Sequence, residues 1–117
     1  MSASKLNLPI LEKGATWRHS LIWKDAAGQP INLTGCSAKL QVRETLSAEA
    51  VLLELSTENN RISITPSLGR FDLVIAANDT ALLIGCGGCY DLEVTFSNSD
   101  VTRLIEGNWV FKGEVTR

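Results

Sequence analysis

The chain of 117 residues holds one histidine and one methionine, and only 6% of it is aromatic. It also lacks a basic excess, with 11 Lys and Arg against 13 Asp and Glu and a net charge of −2. Binding to nucleic acid draws on clustered positive charge that releases counterions from phosphates. A nucleic-acid partner is therefore not expected. No apolar run approaches the ~18 residues that a spanning helix needs, so no membrane partner is expected either. The opening MSASKLNLPILEK is broken by Asn7 and Pro9 and does not read as a signal peptide. Three cysteines are an odd number for a secreted disulfide framework. These features point to a chain made and kept in a reducing cytoplasm, or assembled there. No P-loop, GxSxG, HExxH or paired-carboxylate motif occurs, so the reading is of a non-enzyme without a cofactor or metal.

What the chain does have is alternation. In CSAKLQVR, Cys36, Ala38, Leu40 and Val42 share one face, and Ser37, Lys39, Gln41 and Arg43 share the other. In CYDLEVTFS, Tyr90, Leu92, Val94 and Phe96 alternate with polar residues. A period of two with one apolar face marks a half-buried antiparallel strand. Trp17, Leu21 and Trp23 are in phase in a third such run, with His19 between them. Weaker runs are 51–55, 61–65, 70–76, 101–106 and 108–115. Turn-forming stretches separate them, including KDAAGQP, TENN, PSLG, SNSD and Gly107. Strands at such spacing predict an all-β fold, an antiparallel immunoglobulin-like β-sandwich. The predicted core is Trp17, Leu21, Trp23, Leu40, Val42, Tyr90, Leu92, Val94 and Phe96.

Two stretches interrupt the strands. The segment 76–88 reads as one short helix between strands, capped by Asn78 or Asp79, turned by Ala81, Leu82 and Leu83, and stopped by Gly85, Gly87 and Gly88. KDAAGQPINLTG, from Lys24 to Gly35, reads as a corner. Asp25 and Gly28 suit a tight turn, Pro30 ends it, and Ile31 and Leu33 form a short edge segment before Gly35.

Several residues invite a chemical reading and have a plainer one. Cys86 and Cys89 have C-x-x-C spacing, but they follow a helix where a redox pair would precede one, so a Gly-rich turn is the simpler account. Cys36 reads as a small core residue and His19 as a packed one. Asp72, Asp91 and Glu93 could line a cation site, and a solvated sheet face is the plainer account. Asn32 and Asn78 sit in sequons and read as turn and cap chemistry. Trp17, Trp23 and Trp109 would form a sugar-stacking platform if exposed, and their phase argues for the core.

The domain reading is an N-terminal arm, residues 1–13, and a sandwich, residues 14–117. In the arm Leu6, Leu8 and Ile10 alternate and Leu11 follows, while Pro9 demotes the segment to an edge strand. Such an arm either pairs with the exposed edge of a neighbouring subunit or folds back on its own sandwich.

The order of motifs resembles a family. Gly14-Ala15-Thr16-Trp17-Arg18 is followed by the corner from Trp23 to Gly35, then Gln41-Val42-Arg43. Later come Thr80-Ala81-Leu82, Tyr90-Asp91-Leu92-Glu93-Val94 and a hairpin from Val101 to Gly107. This is similar to small immunoglobulin-like β-sandwich adaptor proteins of tailed-phage virions, from Gly14 to Arg117. It departs at Asn32, where the pattern has Asp, and at IGCGGC, where it has a shorter turn. The resemblance implies a non-catalytic virion structural protein in a tail, baseplate or collar, assembled in the bacterial host cytoplasm. Implied partners are copies of itself in a ring and other phage tail, neck or fibre proteins. The arm residues Leu6, Leu8, Ile10 and Leu11, together with an open sheet edge, would make subunit contacts by strand pairing. The loops around Asp25, Gly28 and Gln29 and around Gly85 and Gly88 would meet the next protein. Deleting residues 1–12 would then abolish the ring and leave a folded monomer. The alternative is a carbohydrate- or protein-binding module of a phage fibre or a bacterial surface protein.

Overall fold

Alternating apolar positions force two sheets to face each other, because each strand has one face to bury. The computed structural model describes residues 4–113. The larger sheet begins with β1 (Ser4–Lys5) and β2 (Leu11–Glu12), both parallel to β9 (Val101–Lys112). It continues through β8 (Gly87–Thr95), β4 (Ser37–Arg43) and β5 (Leu53–Ser56). The smaller sheet has the order β3 (Trp17–Ile22), β7 (Arg70–Ile75) and β6 (Ile62–Thr65). In the lettering of immunoglobulin domains this is B-E-D against C′-C-F-G. The first strand has moved from beside B to run beside G. The fold is thus the predicted all-β immunoglobulin-like sandwich, antiparallel except for the arm.

The inner faces meet in one core. Leu11, Leu33, Leu40, Leu55, Phe71, Leu92, Val94 and Trp109 are fully buried. Trp17 from the smaller sheet packs on Trp109 from the larger, with ring centroids 4.5 Å apart, and Tyr90 and Phe111 meet Trp109 edge-on. Aromatic rings thus bridge the sheets, while Cys36, Cys86 and Cys89 are free thiols. Of the predicted core, Trp17, Leu40, Val42, Tyr90, Leu92 and Val94 are buried. Leu21, Trp23 and Phe96 are only half-buried and pack against the core from outside. Leu21 lies on an edge strand, and Trp23 stacks on Phe96, 6.0 Å away, beyond the strand ends.

The arm corrects a larger expectation. Leu8 and Leu11 lie inside the chain's own core, so they are not surfaces for a neighbour. Leu6 and Ile10 stay exposed. The Tyr90 hydroxyl donates to the Leu6 carbonyl, the Trp17 indole N–H donates to Pro9 at 3.2 Å, and Lys5 pairs with Glu106 at 2.6 Å. The arm is an integral edge of the larger sheet.

Gly107 explains how. The sequence reads it as a turn, but β9 passes straight through it. A Cβ there would sit 2.2 Å from the Leu6 carbonyl oxygen. Glycine at this position lets the arm's backbone approach the strand.

The helix is shorter than predicted. α1 spans Ala77–Thr80, its N-cap is Ala76, and no side chain caps it. Asn78 and Asp79 lie within its single turn, and Ala81, Leu82 and Leu83 lead out of it. What fixes α1 is Thr80, which is fully buried. Its hydroxyl donates to Ala15 at 2.8 Å and accepts from the Gly14 N–H at 3.0 Å.

Candidate functional site

Strand register sorts the loops into two ends. Cys89 faces Arg43, Gly87 faces Val110, Leu11 faces Phe111, and Trp17 faces Ile75. The connections 13–16, 44–52 and 76–86 therefore crowd one end. The corner 23–36, the turn 66–69 and the hairpin 96–100 lie at the other. The two predicted loop sites, Asp25, Gly28 and Gln29 in one and Gly85 and Gly88 in the other, thus fall at opposite ends.

The first end is tipped with aliphatic side chains. Leu46 is 90% exposed, Ile84 79% and Leu82 77%. Ile10 and Val110 are also exposed, and the register of β2 on β9 sets them side by side. Large exposed aliphatics thus come from four chain segments on this side of the sandwich. The alternation rule missed them because Leu46, Leu82 and Ile84 lie in loops. The signal available was apolar residues where turn chemistry was due.

Gly85 belongs to this end, with a left-handed φ of 84°. Gly88 does not form a loop. With Gly87 and Cys89 it is the start of β8, which corrects the reading of CGGC as a turn. Gly87 has a φ of 93°, and a Cβ there would lie 2.0 Å from the Trp109 carbonyl oxygen. Cys86 is exposed and Cys89 rests its thiol on the Arg43 carbonyl at 3.6 Å. Among the described residues no group of three or more His, Cys, Asp and Glu side chains is placed to hold a metal ion.

The second end combines polar turns with exposed Ile22, Leu68 and Val101. The Asp25 carboxylate accepts from the N–H groups of Ala27 and Gln29, both at 2.9 Å. Asn32 accepts from the Thr34 N–H at 3.0 Å and its hydroxyl at 2.6 Å. These are the Asx turns that the sequence suggested. Leu33 departs from the predicted edge segment, since it is fully buried and plugs the core from this end.

The outer face of the larger sheet carries an ion-pair network over a groove of about 600 Å³. A bulge in β9 at the level of Leu92 and Glu93 puts Arg103 and Glu106 on one face. Arg103 lies 3.3 Å from Asp91, 3.8 Å from Glu93 and 3.9 Å from Glu106. The Lys5 ammonium, ahead of Arg103, holds the Glu106 carboxyl below its ordinary range. On the smaller sheet the Ser20 hydroxyl and the Arg70 guanidinium hold Asp72 down in the same way. Asp72 is therefore on a different sheet from Asp91 and Glu93. His19 lies half-buried on β3, with its ring 6.0 Å from Trp17. Trp17 and Trp109 are buried, so neither offers a face to a sugar.

No protein-family model and no curated protein matches the chain. Among solved structures it is similar to Drosophila OTK, extracellular domains 3–5, at 13% identity and a TM-score of 0.33. That alignment covers 94% of this chain and 33% of the other, so the chain spans about a third of the length of that neighbour. The fold assignment rests on strand order and register.

Proposed function

We propose that the protein is a non-catalytic virion adaptor of a tailed phage, joining fibres or neighbouring proteins to the tail, baseplate or collar. The motif order from Gly14 to Arg117 supports the family reading. The observation that carries the mechanism is the high exposure of Leu82, Ile84 and Leu46 in the loops that strand register puts at one end of a sandwich 45 Å long. Aliphatics this exposed are a cost in solution and a gain when covered by a partner. The opposite end offers preformed polar turns, which suit a second and more exchangeable contact. One rigid body with exposed loops at both ends is what an adaptor requires. Immunogold labelling of particles induced from the source strain tests this. Label at a discrete position on the neck, tail or tail tip supports it. Particles without label, with the epitope shown to be accessible, refute it.

A further inference from the structure

The sheet edges are treated differently. On β5 the outward Ser56 N–H donates to the Asn59 side chain at 2.9 Å. The outward Glu54 carbonyl accepts from Asn59 at 3.0 Å and from Arg61 at 2.9 Å. That edge is closed by its own side chains, a common protection against pairing. The other edge of the larger sheet is covered by the arm.

β3 has no such protection among the described residues. Trp23 donates its N–H to Gly69 at 2.8 Å, in register with the strand pair. By antiparallel alternation Trp17, His19 and Leu21 then bond to β7. The N–H and C=O groups of Arg18, Ser20 and Ile22 point away from the sheet. In an ordinary immunoglobulin sandwich the first strand can lie there. Here the arm is diverted to β9 and held by Leu8, Leu11 and the Lys5–Glu106 pair. Side chains along the edge show the consequence. Ile22 is 55% exposed, and His19 and Leu21 are half-exposed although they face inward.

We infer that the β3 edge pairs with the β3 edge of a second copy, antiparallel about a twofold axis through Ser20. That register satisfies every outward backbone group of Arg18, Ser20 and Ile22. Registers centred on His19 or Leu21 do not, because they run off the strand. On the outer face it sets Arg18 against Ile22 of the second copy, and Ser20 against its equivalent. On the inner face it sets His19 against Leu21. No like charges oppose, the exposed Ile22 gains the Arg18 stem as cover, and the half-exposed His19 and Leu21 cover each other. This self-complementarity selects a second copy over an unrelated strand. The paired sheets form one continuous six-stranded sheet, with a closed, isologous interface. The pairing stands whether or not the protein is a virion component.

Sedimentation equilibrium of the full chain over a range of concentrations is the test, with two variants at one position. Ile22→Lys sets a cation against each Arg18 and is expected to weaken the dimer on the order of tenfold. Ile22→Glu sets an anion there and is expected to keep or tighten it. Ser20→Pro removes an outward N–H at an edge position that tolerates proline, and is expected to abolish the dimer. Near-ultraviolet circular dichroism checks that each variant keeps its tertiary fold. A monomer at all concentrations overturns the inference. A dimer that responds equally to Lys and Glu at position 22 also overturns it, since it must use another surface.

Discussion

Replacing Leu11 by Ala tests whether the arm belongs to its own sandwich. Leu11 is fully buried on β2, between Phe111 and the rest of the core. Truncating such a leucine removes its transfer free energy and leaves a cavity, and the cost is about 3 kcal/mol. A domain of this size has a total stability of about 5–15 kcal/mol. The melting temperature should fall by about 10 °C. Urea unfolding followed by tryptophan fluorescence reads the loss directly, since Trp17 and Trp109 stack beside the arm. The loss should be independent of protein concentration, because the contact is within one chain. A change below about 1 kcal/mol would refute the packing argument. A loss that shrinks as concentration rises would show that the arm inserts into a neighbour. By the same reasoning, deleting residues 1–12 uncovers the core and destabilises the monomer, contrary to the folded monomer expected from sequence.

Gly107→Val drives a side chain into the Leu6 backbone and should detach the arm, seen as faster hydrogen exchange at Leu6 and Leu8. Thr80→Val removes the bonds that the buried Thr80 hydroxyl makes to Gly14 and Ala15 and should cost about 1 kcal/mol, measurable by urea unfolding. Burial pushes the Tyr90 hydroxyl up to about 12 from an ordinary value of 10.0. The folded protein then holds a proton that the unfolded chain releases first. Stability is level below pH 10 and falls between pH 10 and 12, by about 1–2 kcal/mol once solvent screening is allowed for. Tyr90→Phe should remove that slope. For Glu106 the sign is opposite, since its carboxyl is held low. Its contribution is present above the ordinary carboxylate range and is lost as pH falls below it. Lys5→Ala should move the Glu106 titration, followed by NMR, upward.

The strand interiors were legible in the sequence because each buries one face. The runs containing Leu40 and Val42, and Leu92 and Val94, alternate without a break. Gly107 was not legible, since a glycine that admits a crossing backbone looks the same as one that turns a chain. The arm's destination was not legible either. Leu8 and Leu11 are three apart with Pro9 between them, a spacing that fits two short strands of one edge as well as an arm. Cys86 to Cys89 looked like a turn because glycines there answer to the Trp109 and Arg43 carbonyls, which arrive from distant sequence. Leu46, Leu82 and Ile84 were hidden because they lie in loops, and loop residues carry no period. The β3 edge needed register, since alternation alone does not show which strands lie outermost.

In the proposed role, the Leu82 and Ile84 end docks the protein to a larger assembly. Particle incorporation of a Leu82→Asp, Ile84→Asp double variant is compared with that of a Lys39→Ala variant on the exposed outer face of β4. Both changes lie at exposed positions, so both proteins should remain folded. The double variant should be lost from purified particles while the Lys39 variant is retained. Incorporation of the double variant at the level of the unmodified protein would contradict that role.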